Sequence, residues 1–471
     1  MERKKVSKKC IELLAVNDPH ESFGNGGSKA TSPKSYGLVR ITKHNGKVEE
    51  VLMPMTLLLD IKRMKEFFVN QGHAQCDDDK YWLRVRDELR NYPDVELKLS
   101  YSPGYVGEVY LCSNGLVIGD QNQFVRLHPD ANFRPSSTAS SGTLNEWKEN
   151  VASLALYSDR MLLALCVSFS GLIMKWANQE SGGFHLHAES SVGKTTATLL
   201  ASTVYGGPEY LCSWDITEAG VEEVAVGRND ALLPLNELRL LSTDPVLASQ
   251  KASKLIYMIA EGKGKHRAKS YQSNVNTWAT VVLSSGELSL ADHAESGKMK
   301  RLKGECVRVI DLFADSQSGF GIFDRLPKEF PLAPEFSEHI QAQSQVYYGS
   351  ALLPYVEGLL KWENGKAGSV KRRIVKHSNS FIENCVVDNT KGQEMRIIKR
   401  FAVAYAAGAI AIELGVLDFS NSQIGQAIRK CYEAYVREKP ESQSEEIDKA
   451  YQKVLDKLAN AKLLKVREGT G

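Results

Sequence analysis

Residues 188–195, Ala188-Glu-Ser-Ser-Val-Gly-Lys-Thr195, constrain this 471-residue chain more than any other stretch. They have the pattern of a phosphate-binding loop, with Ala188 where a glycine usually opens the motif. A short alternating run (Phe184, Leu186, Ala188) leads in, and a helix-forming run from Thr195 to Ser202 leads out. Strand, loop and helix thus follow in the order such a loop needs. Backbone N–H groups of Glu189, Ser190, Ser191, Val192 and Gly193 are then expected to wrap phosphates at a helix N-terminus. Gly193 stands where phosphate must come closest to the backbone. Lys194 adds a point charge toward the terminal phosphates. Thr195 can set its hydroxyl on Mg²⁺, and Thr196 is counted with the nucleotide contacts. The expected ligand is ATP with Mg²⁺.

The length suggests roughly two to four domains of about 100–200 residues. A net charge of +2 gives no global basic signature, so any nucleic-acid site must be a local patch. The eight cysteines are scattered without C-x-x-C spacing, which argues against a disulfide framework or zinc site and for a reducing compartment. The charged start has no apolar core of signal-peptide length. The longest apolar runs, Met161–Met174 and Phe401–Leu414, fall short of a span of about 20 residues and read as buried helices. A cytoplasmic protein with no membrane partner is expected.

The pattern along the chain predicts an α/β protein. Residues 1–35 read as a flexible or helical segment, and 36–135 as a compact α+β domain opening on a hairpin. Ser136 to Gly142 has linker composition. From 143 to 330 strands and helices alternate, which argues for a mostly parallel sheet covered on both faces. Residues 331–437 read as helical, with one long helix across 341–364. A terminal helix within 446–471 could begin a winged domain.

Three further motifs carry chemistry. Ala231-Leu-Leu-Pro-Leu-Asn236-Glu237 is an apolar strand ending in an amide and an acid. Asn236 can hold a metal-bound water but adds no charge, and Glu237 is the candidate general base. The strand Trp278-Ala-Thr-Val-Val-Leu-Ser284-Ser285 ends in hydroxyls, either of which could sense the terminal phosphate. Between them, Glu261 to Ser270 holds four Lys or Arg against one Glu. Lys263, Lys265, His266 and Arg267 fall on a Gly-rich hairpin able to grip nucleic-acid phosphates. Arg301 and Arg308 are alternative arginines for stabilising a neighbouring subunit's transition state. His185 and His187 share a strand face, but no nearby carboxylate or cysteine set makes them a metal pair.

Together these residues resemble the family catalogued as domain of unknown function 927, the ATPase part of helicase- and primase-like proteins of mobile genetic elements. The resemblance rests on Gly183-Phe-His-Leu-His with Ser190-Ser-Val-Gly-Lys-Thr-Thr, on Leu232-Leu-Pro-Leu-Asn-Glu-Leu, and on Met258-Ile-Ala-Glu-Gly-Lys-Gly-Lys. Leu283-Ser-Ser-Gly-Glu and Val307-Arg-Val-Ile-Asp-Leu extend it. It implies a P-loop AAA+ ATPase core with an N-terminal α+β domain and a C-terminal helical region. It also implies a homo-oligomeric ring, a hexamer, acting as a DNA helicase on single-stranded or forked DNA in replication of a mobile element. Lys265-His266 looks like the DNA-gripping hairpin tip of superfamily 3 viral helicases. Asn236 departs from the Asp usual there. The rival reading is a nucleotide-controlled remodelling or defence ATPase acting on protein.

Overall fold

In the computed structural model the described residues are 10–21, 34–73, 78–120, 122–265, 276–385 and 392–438. His266, Arg267, the terminal segment 446–471 and most of 1–35 lie outside them. The first sheet is an antiparallel meander of Ile11–Val16 (β1), Tyr36–Thr42 (β2) and Val48–Pro54 (β3), in that order. β1 corrects the expectation of a flexible or helical segment there. Ile11 and Ala15 are buried, and the strand is held by its long-range pairing with β2. Helices Ile61–Asn70 (α1) and Asp79–Leu89 (α2) cover this sheet, each started by an aspartate, Asp60 or Asp78, that accepts first-turn N–H groups. Met64, Phe68 and Trp82 seal the contact.

Leu97–Ser100 (β4) pairs in parallel with Phe124–Leu127 (β8). Gly104–Val106 (β5), Val109–Leu111 (β6) and Val117–Gly119 (β7) form a second meander between them. Residues 36–135 are therefore not one self-contained unit. Tyr110, Cys112 and Ile118 of this meander belong to the main core, and the Tyr105 hydroxyl donates to Leu172 O at 2.8 Å. The stretch 136–142 is also laced to the core, through Ser136 on Ser113 and through the Ser141 N–H on Tyr348 O.

Leu144–Asn150 (α3) starts on a capping box between Thr143 and Glu146. Asp159–Ser170 (α4) is buried from Arg160 to Ser170, and Met174–Ala177 (α5) follows. Among the described residues, 159–177 is one stretch apolar and long enough to cross a membrane by composition, yet 83% of its window is packed inside the protein. Its apolar character on all sides is that of a central core helix.

The remaining chain builds the main sheet: Gly182–His187 (β9), Lys194–Ser202 (α6), Cys212–Ser213 (β10), Glu218–Val226 (α7), Ala231–Asn236 (β11), Pro245–Glu261 (α8), Thr280–Gly286 (β12), Leu290–Ser296 (α9), Lys303–Cys306 (α10) and Val309–Phe313 (β13). The strands lie in the order β10-β11-β12-β9-β13, and every pairing is parallel. Their near-continuous apolar sequences suit strands buried on both faces. Pro234 sits inside β11, but β10 reaches only Leu235 and Asn236, so the missing N–H falls where that side is unpaired. Helices Ala333–Val346 (α11), Leu352–Gly365 (α12), Ser369–Cys385 (α13), Gln393–Glu413 (α14) and Asn421–Glu438 (α15) complete the fold. The single helix expected across 341–364 is two, broken at Gly349, where φ is +73° and an added Cβ would lie 1.8 Å from Ala139 O.

Asp230 locks β5 to the entrance of β11. Its carboxylate accepts the Tyr105 N–H and the Asn229 amide, both at 3.1 Å. Burial pushes this carboxyl up to about 6, while the Tyr105 N–H, Lys175 and Asn229 pull the other way. The folded value exceeds the unfolded one, about 3.9. The group's contribution is thus full below the unfolded value and lost as pH rises through 6. Asp230 also has φ +52°, which Asn tolerates. Asp230→Asn is expected to be more stable than the parent at pH 8 by about 1–3 kcal/mol, the gap closing toward pH 4. Denaturant unfolding at both pH values checks this, and a variant less stable at pH 8 would count against it.

Candidate active site

β9 ends at His187, and the chain turns through 188–193 before α6 begins at Lys194. The turn uses two left-handed residues, Ser191 at φ +64° and Gly193 at +109°. Glu189, Ser190, Ser191 and Thr195 are exposed, so the turn opens to solvent. From outside it is braced by 319–323. The Ile322 N–H donates to Val192 O at 2.9 Å, and a Cβ on Gly193 would meet Ile322 Cγ2 at 2.6 Å. Ser158, at the start of α4, donates to Ile322 O and ties that brace to the core. Lys194 is buried and donates from Nζ to Ala188 O at 2.8 Å and Glu189 O at 2.6 Å. Burial lowers its pKa, and Glu237 and Glu287 counter that.

The carboxyl ends of β11, β12 and β9 meet beside this turn, and parallel register sets them level. Leu235 lies opposite Ser284, and Ser285 opposite Leu186. Four polar groups converge as a result. Thr195 donates from its hydroxyl to Asn236 Oδ1 at 3.3 Å, Ser285 donates to the same oxygen at 2.5 Å, and the Glu237 N–H donates to Ser285 Oγ at 3.4 Å. Glu237 is left-handed (φ 62°, ψ 76°), a strained backbone for a non-glycine residue. Its Oε1 is buried without a hydrogen-bond partner. An orphaned carboxylate oxygen beside a hydroxyl, an amide and an ammonium fits a site built for a polar ligand and a cation, so this donor set suits ATP with Mg²⁺.

Other expected residues are placed elsewhere. Thr196, next along α6, faces away: it is 1% exposed and its hydroxyl bonds Ser337 at 2.6 Å and Gln341 at 2.9 Å. Successive helical residues diverge by about 100°, so only the first threonine hydroxyl faces the mouth. Ser284 points into the core, where it meets Trp214 Nε1 and His185 Nδ1, both at 2.9 Å, which leaves Ser285 as the hydroxyl at the mouth. Arg301 is 7% exposed and paired with Asp311 at 2.5 Å, lining a cavity with His187. Arg308 precedes β13; its carbonyl accepts from Gly183 N–H, which puts it at the opposite end of the sheet from the turn. Lys263 and Lys265 lie on paired backbone leading to β12. Lys263 bridges Thr277, and the Gly264 N–H donates to Asn276 O. Lys265 pairs with Glu218, which also holds Lys254.

A family model described as Domain of unknown function (DUF927) matches residues 27–276. No curated protein matches the sequence. Among solved structures, the chain is similar to "SCCmec type IV Cch - active helicase", with 18% identity and a TM-score of 0.64, covering 90% of this chain and 74% of that one. The likeness at this identity is one of fold.

Behind the mouth, the hydrogen bonds define one tautomer of His185. Its Nε2 must donate to Leu288 O at 3.0 Å, so Nδ1 accepts from the Ser284 hydroxyl, which in turn accepts the Trp214 N–H. Burial pushes this imidazole down to about 4; Asp311 and the Leu288 carbonyl only partly offset it. With a folded value below the unfolded one, about 6.5, stability is complete above 6.5 and declines as pH falls toward 4. His185→Gln should remove that part of the decline, at most about 1.4 kcal/mol per pH unit. Unfolding midpoints of parent and variant between pH 7 and 4.5 test it, and parallel curves would refute a neutral His185.

Proposed function

The chain belongs to the family described as Domain of unknown function (DUF927), and on that premise we propose that it is an ATP-driven DNA translocase or helicase of a mobile genetic element, working as a homo-oligomeric ring. The observation that carries this reading is the meeting of Thr195, Asn236, Glu237 and Ser285 beside the 188–195 turn. The strand order β10-β11-β12-β9-β13, with the turn following β9, supports a P-loop AAA+ core. The likeness of fold to a helicase structure and the basic pair Lys263 and Lys265 leading into β12 support DNA as the substrate track.

In this reading the loop amides and Lys194 hold the triphosphate of ATP. Thr195 directly, and Asn236 through water, would hold Mg²⁺, which neutralises charge on the phosphates. Glu237 accepts the proton of the attacking water, and Ser285 reports the state of the terminal phosphate to Asn236. Arg301 is the arginine assigned to a neighbour's nucleotide, because Arg308 lies at the far end of the sheet; engagement requires Arg301 to leave Asp311. Lys265, His266 and Arg267 grip the phosphates of single-stranded DNA with little sequence preference and strong salt dependence.

ATP hydrolysis is expected to rise severalfold with single-stranded or forked DNA. Lys194→Ala should lower turnover by about 100-fold or more. Lys265→Ala should keep the DNA-free rate and lose the stimulation. Hydrolysis indifferent to DNA, with no DNA binding, would overturn the translocase and favour a remodelling ATPase acting on protein, a reading to which the neutral Asn236 lends some weight. Asn236 Oδ1 only accepts in the present network, so a carboxylate can take its place. Asn236→Asp is expected to lower the Mg²⁺ concentration needed for half-maximal hydrolysis about tenfold, worth ~1.4 kcal/mol. A magnesium titration of both proteins reads this directly.

A further inference from the structure

A cavity of about 440 Å³ opens at the end of the sheet remote from the 188–195 turn, between α13, α14 and the 177–180 turn. Its size is that of a small-molecule pocket. Val307, Ile374, Ile382 and Val403 give it apolar walls. Arg396, Lys399, Arg400 and Val403 follow one face of α14 at i, i+3, i+4 and i+7 spacing, so the three cations and the apolar wall present together. One carboxylate, Glu180, shares the lining with those three cations.

Arg400 is the group the fold leaves unbalanced. It is 8% exposed, and its guanidinium donates only to carbonyls, Val307 O at 3.3 Å and Glu180 O and Ser181 O at 3.5 Å. Among the described residues no carboxylate lies within ion-pair distance of it, and Arg396 and Lys399 carry no ion pair either. Burial lowers its pKa to about 10, partly countered by Glu180. A guanidinium taken out of water without a counter-charge is costly.

We propose that this cavity binds a small organic anion with an apolar body, whose acidic group lies against Arg396 and Lys399 and balances Arg400 while its body fills the space between α13 and α14. The site is independent of the nucleotide reading. Its lower wall touches the residues that lead into β9.

The probe is octyl phosphate below its micellar concentration, titrated calorimetrically into the full chain, with 1-octanol and inorganic phosphate as controls. Octyl phosphate is expected to bind one site per chain, about tenfold or more tighter than either control. The exposed pair changed together, Arg396→Gln with Lys399→Gln, should bring its affinity down to that of 1-octanol. Val403→Trp, which fills the cavity, should abolish binding. Lys194→Ala should bind it unchanged, which separates this site from the phosphate loop. Absence of saturable binding, loss of binding in Lys194→Ala alone, or unchanged binding in both cavity variants would overturn the proposal. Circular dichroism and the unfolding midpoint check that each variant is folded.

Discussion

The candidate active site depends on one oxygen atom, Asn236 Oδ1, on which the hydroxyls of Thr195 and Ser285 converge. Those residues come from a helix start and two strand ends far apart in sequence. They meet because β11, β12 and β9 are parallel and in register, so their carboxyl ends are level. Alternation along β12 does the sorting. Ser285 faces Asn236, whereas Ser284 is turned into the core against Trp214 and His185. A slip of one residue would exchange the two serines and leave a hydroxyl buried without its partners.

The mouth is stiffened from two sides. On the core side the Trp214–Ser284–His185–Leu288 chain gives every side-chain donor a partner, consistent with a neutral imidazole under the sheet end. On the solvent side, residues 319–323 lie against the turn so closely that Gly321 would put a Cβ 2.7 Å from Val192 O. The left-handed backbones of Ser191, Gly193 and Glu237 persist between these two supports, where the surroundings hold conformations that an isolated peptide would leave.

Much of this was readable in the sequence wherever short-range pattern decides structure. The 188–195 turn, the helix from it to Ser202 and the strand ending at Asn236 follow from local periodicity and glycine placement. What escaped depends on distant contacts. β1 exists through its pairing with β2 across a polar segment. The β5–β7 meander joins the main core through Tyr105, Tyr110 and Asp230, a link no local window contains. Helix α13 falls within the stretch 331–437 read as helical, and its pattern is plain: Val370, Ile374, His377 and Phe381 are buried at helical spacing amid Lys, Arg and Ser. At the site, two adjacent threonines look alike in sequence, while the helix sends their hydroxyls in different directions, Thr195 toward Asn236 and Thr196 toward Ser337.

The electrostatics of the mouth follow from the amide at 236. A carboxylate there would be one more negative charge beside Glu237 and Glu287, the two acids that sustain the proton on Lys194 against its burial. With Asn, the ammonium is supported by fewer acids and takes its remaining stabilisation from Ala188 O and Glu189 O. Those two carbonyls open the 188–193 turn itself. On the proposed reading, the triphosphate of ATP would compete with the turn for the same lysine and would meet less like-charge repulsion than a site with an acid at 236 offers. Binding and hydrolysis are, on that reading, separable: the neutral amide favours holding the polyanion, while the charge to anchor the metal would have to come from the phosphates.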